Sequence, residues 1–165
     1  MTPEFSRPIE AGRIGPGGLE IDVAADATER AKLAERFGLP AIQALACAFR
    51  LRQGQDGRIM AEGRLRARVT QVCVVSTEPF EADVSDDFVL CLAPESEVPD
   101  EIDPEDPLDT VPMTDGVIDL GEAAAEQLAL ALDPYPRRPG ATPPDFASSE
   151  QASPFAALAR LRTRH

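Results

Sequence analysis

The chain has 165 residues, a formal net charge of −13 and 43% hydrophobic residues, with no Trp and a single Tyr. This length suits one domain with tails and is sufficient to bury a core without metal ions or disulfides. Residues 1–10 lack the apolar stretch of a secretory signal, and no apolar run reaches the roughly 20 residues that cross a bilayer, so a cytoplasmic protein is expected.

The first third of the chain predicts two strands and a helix. A short strand is expected over Phe5–Ile9, and a second over 19–23, where apolar and acidic residues alternate. Asp26 and Glu29 have capping-box spacing and predict a helix over Ala27–Phe37.

The middle of the chain reads as antiparallel strands. Alternating residues predict a strand over about Ile42–Arg52, and an Asp-Gly turn leads into another over Ile59–Cys73. Two further meander strands are expected over Phe80–Val84 and Phe88–Leu92. Residues 93–114 are acidic and rich in Pro, and predict a long, largely disordered loop.

A second helix is expected over Leu120–Leu132, with Asp119 and Glu122 as another capping box. Gly121 lies in its first turn, so replacing it with Ala is predicted to be neutral or stabilising. Residues 137–152 are expected to form a flexible Pro- and Ser-rich linker. Residues 153–165 are expected to form a short basic amphipathic segment that opens on Pro154 and Phe155.

These elements predict a single α+β domain over residues 1–136. Its sheet is expected to be mainly antiparallel and curved or barrel-like, with two covering helices and the long acidic loop.

Charge is segregated along the chain. Residues 81–135 carry 17 Asp and Glu residues and no Lys or Arg, whereas residues 136–165 carry five Arg against two acids. Such asymmetry informs the choice of partners rather than the fold. The acidic loop is interpreted as a solubilising spacer, with nucleic-acid mimicry towards a basic protein as the alternative.

Eight arginines are the candidate residues for binding RNA or a protein partner: Arg50, Arg52, Arg64, Arg66, Arg68, Arg160, Arg162 and Arg164. The guanidinium fork suits phosphate, and alternation in the fourth strand predicts one basic face. The competing interpretation pairs this face with the chain's own acids or leaves it solvated. The last three arginines either recognise a partner or flank a segment that packs back on the domain.

Several ordered motifs resemble the YceD-like family of large-ribosomal-RNA-subunit accumulation proteins. They are Glu4-Phe5-Ser6-Arg7-Pro8, Gln71-Val72-Cys73-Val74-Val75, Ile118-Asp119-Leu120-Gly121-Glu122 with Glu126, and Pro154-Phe155-Ala156-Ala157-Leu158. The resemblance implies a role in the synthesis, processing or stability of large-subunit rRNA. An rRNA precursor or a large-subunit protein is then the expected partner, and a protein–protein adaptor without RNA contact is the alternative.

Many members of that family carry Cys-x-x-Cys where this chain has Cys73 and Ser76. The departure, together with the spacing of Cys47, Cys73, Cys91 and His165, predicts no metal site and no cofactor. We expect the cysteines to be reduced and buried, with Cys73 a core residue. No nucleophile or base accompanies Asp119, Glu122 and Glu126, so no catalytic residue is predicted and these acids are read as helix caps and surface neighbours.

Overall fold

Five of the seven strands in the described part of the chain belong to one sheet. The computed structural model describes residues 3–54, 57–97 and 109–142. Its elements, in chain order, are β1 (Pro8–Glu10), β2 (Leu19–Ala24), α1 (Ala27–Phe37), β3 (Ala41–Gln53), β4 (Ile59–Val72), β5 (Pro79–Pro94), β6 (Asp109–Met113), β7 (Val117–Asp119) and α2 (Leu120–Ala131).

The large sheet has the strand order β2-β3-β4-β5-β6, and β1 pairs separately with β7. Every pair is antiparallel except β5–β6, which is parallel. The α+β class and the mainly antiparallel sheet are therefore confirmed. The barrel-like expectation is wrong, because β2 and β6 do not pair with each other and the described sheet stays open.

The core lies between the inner face of this sheet and the two helices. Along β4 buried and exposed residues alternate, so that Leu65 and Val69 face the core. Leu33 of α1 and Leu128 of α2 are fully buried in the same cluster. The period of two on the strands and the apolar helix faces thus converge on one core.

The first helix begins and ends at the predicted residues. The Asp26 carboxylate accepts hydrogen bonds from the N–H groups of Thr28 and Glu29, and the Glu29 side chain accepts from the N–H of Asp26, which completes a capping box. Gly38 follows in the left-handed conformation, with φ of 65°. A residue without Cβ adopts this conformation at no steric cost, so it ends the helix.

The acidic region departs from the predicted loop over 93–114. Residues 79–94 are one continuous strand rather than two, and residues 109–113 form β6 beside its end. The predicted loop is therefore strand at both ends. Pro and acidic residues have a low intrinsic preference for strands, which is why the sequence predicted a loop here. Residues 109–113 nevertheless form a strand because they pair with Leu90–Pro94. Residues 98–108 lie outside the described residues.

Gly121 makes a close backbone approach that the helical pattern conceals. A Cβ at this position would lie 2.5 Å from the carbonyl oxygen of Phe5 and 3.0 Å from the backbone nitrogen of Arg7. The expectation that Ala is neutral here is therefore wrong, since the N-terminal segment occupies that space.

Candidate partner-binding face

The five sheet arginines share one side of the sheet, here called the outer face. Arg64, Arg66 and Arg68 alternate with buried residues along β4, and Arg50 and Arg52 do so along β3. The β3–β4 register sets Arg64 opposite Ala48 and Arg50 opposite Glu62, which places both strands' arginines on the same surface. The five arginines therefore lie on one surface of the sheet, as the alternation predicted.

Three of these arginines are already paired with acids. Arg50 lies 2.7 Å from Glu20 on β2, and Arg68 lies 2.8 Å from Asp83 on β5. Arg52 and Glu62 are further apart, at 3.9 Å between Nη1 and Oε1. Such exposed pairs contribute little to stability, but they reduce the charge offered to a phosphate.

Arg64 and Arg66 differ from the other three. Neither forms an ion pair or a side-chain hydrogen bond within the part of the chain that the structure describes. They stand beside a row of exposed small residues on β3, since Ala48 faces Arg64 and Ala46 faces Arg66. A shallow depression of about 450 Å³ lies next to Arg64 and is also lined by Glu20, Asp22 and Asp87. These two guanidiniums are the ones available to an anionic ligand.

The outer face as a whole is not basic. Its five arginines are interspersed with six exposed carboxylates from β2, β4 and β5: Glu20, Asp22, Glu62, Glu81, Asp83 and Asp87. A polyanion approaching this face would meet acids on both flanks of the arginine row. The arrangement is therefore better suited to a small anionic group or to a partner with mixed charge than to a long nucleic-acid backbone.

The predicted C-terminal part of the site lies outside the described residues. This applies to the arginines and to the motif residues of that segment: Pro154, Phe155, Arg160, Arg162 and Arg164.

The motif residues near the N-terminus form a clamp between the helices. The Asp119 carboxylate, which caps α2, accepts hydrogen bonds from the hydroxyl of Ser6 and from the backbone N–H of Arg7. The Arg7 guanidinium in turn donates two hydrogen bonds to Glu29 on α1, at 2.7 and 2.9 Å. These residues therefore hold the fold together, and their side chains are engaged in that role.

Glu122 also has a tertiary partner. Its carboxylate accepts two hydrogen bonds from Arg36 on α1, and Arg36 also reaches Glu4 at 3.0 Å. The predicted second capping box is consequently only half formed, because Asp119 caps the helix while Glu122 turns to Arg36. The pKa of Glu126 is raised, mainly because the side chain is partly buried and secondly because the Glu122 carboxylate lies nearby.

Cys73 lies in a polar turn rather than in the apolar core. It follows β4, and its buried sulfur accepts hydrogen bonds from the backbone N–H of Ser76 at 3.4 Å and of Arg138 at 3.3 Å. Arg138 also pairs with Glu78 at 2.8 Å, which attaches the start of the predicted linker to this turn. The burial expected for all three cysteines is confirmed, but Cys73 is absent from the core cluster.

These donors lower the pKa of the Cys73 thiol to about 6, with the Ser76 hydroxyl as the largest cause, followed by the N–H groups of Arg138 and Ser76. The Ser76 hydroxyl is buried and has no partner at hydrogen-bond geometry among the described residues. No other group among the described residues competes for this hydroxyl. Sequence reasoning missed this site, although the Cys73–Ser76 spacing was the available signal.

Within residues 3–54, 57–97 and 109–142, no three His, Cys, Asp or Glu side chains are grouped so as to hold a metal ion. In the same ranges, neither helix has the length and apolar character needed to span a membrane.

These features define a small α+β protein with an open sheet, a mixed-charge outer face and a polar clamp between its helices. Comparison with known families gives a more particular assignment. The family model described as Large ribosomal RNA subunit accumulation protein YceD matches residues 61–162, more than half of the chain, and the chain belongs to that family. The match includes most of β4 and all of β5 and α2 but not the Glu4–Pro8 motif. No curated protein and no solved structure matches the chain significantly.

Proposed function

We propose that this protein is a non-enzymatic factor in biogenesis of the large ribosomal subunit, acting in the cytoplasm to support the synthesis, processing or stability of large-subunit rRNA. The observation that carries the proposal is membership, over residues 61–162, of the family named for accumulation of the large ribosomal RNA subunit.

The structural hydrogen bonds of Asp119 and Glu122 support a binding role for the protein rather than acid–base catalysis. Asp119 caps α2 and holds Ser6 and Arg7, and Glu122 is held by Arg36. A general acid or base needs a side chain free to exchange a proton with a substrate. Groups committed to structural hydrogen bonds are poorly suited to that task.

Two modes of contact are compatible with this role. In the first, Arg64 and Arg66, together with the basic residues of the C-terminal segment, touch rRNA phosphates. In the second, the protein is an adaptor that binds another protein and does not touch RNA. The acids interspersed across the outer face, and the 17 acidic residues of 81–135, favour the adaptor.

Depletion of the protein from its own cells tests the role. We expect a fall in large-subunit rRNA relative to small-subunit rRNA, and fewer large subunits in a sucrose gradient. Re-expression of the wild-type chain should restore both. Unchanged rRNA levels and subunit ratios after full depletion would overturn the proposal.

A tagged pull-down at low salt, before and after nuclease, separates the two modes. A large-subunit protein that stays bound after nuclease supports the adaptor. Loss of every partner on nuclease treatment supports direct contact with RNA.

A further inference from the structure

Among the residues that the structure describes, much of β5 has a partner strand on one side only. Its residues Phe80–Val89, here called the open edge, pair with β4, whereas β6 pairs only with Leu90–Pro94. No other backbone hydrogen bond to the open edge is formed by the described residues. Alternate N–H and C=O groups along this stretch are therefore available to another chain.

The inner side of the open edge is a partly uncovered apolar row. Phe80, Ala82, Val84 and Phe88 are half-buried, unlike the fully buried residues of β4. A groove of about 340 Å³ is lined by Phe80 and Val84 of this row together with Ala131 of α2 and Arg137. An incoming strand would find side-chain contacts there as well as backbone partners.

The open edge is also acidic on both sides. Glu81, Asp83 and Asp87 project from the outer face, and only Asp83 is ion-paired within the described residues. Asp86 interrupts the inner row; it is half-buried, and no described group bonds its carboxylate. Inward charges can protect an edge against self-association, but they also attract a strand of opposite charge.

We propose that the open edge binds an extended basic segment of a partner protein, which adds to the sheet as a further strand. The open edge carries four acids, Glu81, Asp83, Asp86 and Asp87, and no base, so a basic segment complements its charge. Alternating Lys or Arg and apolar residues would match the two sides of β5. A basic, extended segment is the chemistry that the protein partner of the proposed function would have. Only the expectation that this partner belongs to large-subunit biogenesis rests on the proposed function.

The test uses the full chain and a synthetic peptide of alternating Lys and Val, with binding followed by fluorescence anisotropy. A second peptide of the same sequence, N-methylated at alternate residues, cannot complete the backbone ladder. We expect the methylated peptide to bind at least about tenfold more weakly. Backbone amide exchange should slow across Phe80–Val89 on binding but not across β2, the other edge next to β3.

Matched variants check the role of charge. The double variant Asp86→Asn, Asp87→Asn should bind the alternating peptide about tenfold more weakly. The control is the double variant Asp22→Asn, Glu10→Gln, which removes the same charge elsewhere and should leave binding of the peptide nearly unchanged. Equal binding of both peptides, or no protection of the open edge, would overturn the inference. Tighter binding after Arg160, Arg162 and Arg164 are changed to Gln would assign the edge to the chain's own tail and equally overturn it. Peptide binding without any rRNA phenotype on depletion would instead contradict only the proposed function.

Discussion

Arg7 and Glu29 face each other in a bidentate ion pair, with Nη1–Oε1 at 2.7 Å and Nη2–Oε2 at 2.9 Å. The same guanidinium donates to the carbonyl oxygens of Ser6 and Ala24, so one side chain joins the N-terminal segment, β2 and α1. The planar fork of Arg satisfies these acceptors together, which a Lys ammonium cannot do.

Arg7→Lys should therefore lower the free energy of unfolding by about 1 kcal/mol, measured by urea denaturation at neutral pH. The matched control is Arg50→Lys, whose pair with Glu20 is exposed on the sheet and should change stability by less than about 0.5 kcal/mol. Equal losses in the two variants would contradict a special role for Arg7.

The same pair predicts a pH dependence. The hydrogen bond from Arg7 holds the pKa of Glu29 below its ordinary 4.5. A carboxylate whose pKa is lower in the folded protein than in the unfolded protein contributes its full stabilisation at pH values above the unfolded pKa. That contribution is lost as the pH falls through the folded pKa. The difference in stability between wild type and Arg7→Lys should thus shrink below pH 4.5; a constant difference down to lower pH would contradict the assignment.

Gly121→Ala should destabilise the protein by about 1–3 kcal/mol, because the added Cβ collides with the backbone of Phe5 and the N-terminal segment must move. Gly12→Ala is the control, since a Cβ at Gly12 meets nothing within 4 Å. Thermal denaturation of both variants measures the contrast. A stable Gly121→Ala protein would show that the segment around Phe5 shifts at little cost.

Thiolate absorbance in the ultraviolet should show an early step when the protein is titrated with base. Cys73 should ionise near pH 6, whereas burial raises the pKa of Cys47 to about 12. The early step should vanish in Cys73→Ala and move to higher pH in Ser76→Ala, because the hydroxyl contributes most to the lowered pKa. Persistence of the early step in Cys73→Ala would refute the assignment.

Arg64, Arg66 and Arg68 changed together to Glu should abolish any RNA binding while the fold is retained, since all three side chains are exposed. Arg68 is already paired with Asp83, so changing Arg64 and Arg66 alone should reduce the slope of log affinity against log salt by about 2. Arg13→Glu with Lys32→Glu makes the same charge change elsewhere. Equal salt slopes in wild type and the Arg64 and Arg66 variant would exclude phosphate contact by these two residues.

Local patterns predicted the elements whose signals are contained in short stretches. The capping box of Asp26 and Glu29 fixed the start of α1, and alternation along β4 placed its arginines on one exposed face. Local patterns failed where a distant partner prevails. The capping spacing of Asp119 and Glu122 gave no sign that Glu122 would bind Arg36, and the acidic stretch gave no sign that residues 109–113 would pair with β5.

The sequence by itself determined the α+β class and the segregation of charge, because periodicity, caps and composition are properties of neighbouring residues, and its ordered motifs resembled those of the family that was found. Only the tertiary structure decided which arginines are paired, that Gly121 meets Phe5, that Cys73 lies among N–H donors, and that β5 leaves an edge open. Each of these depends on groups far apart in the chain, whose approach is set by strand register and helix packing rather than by local preference.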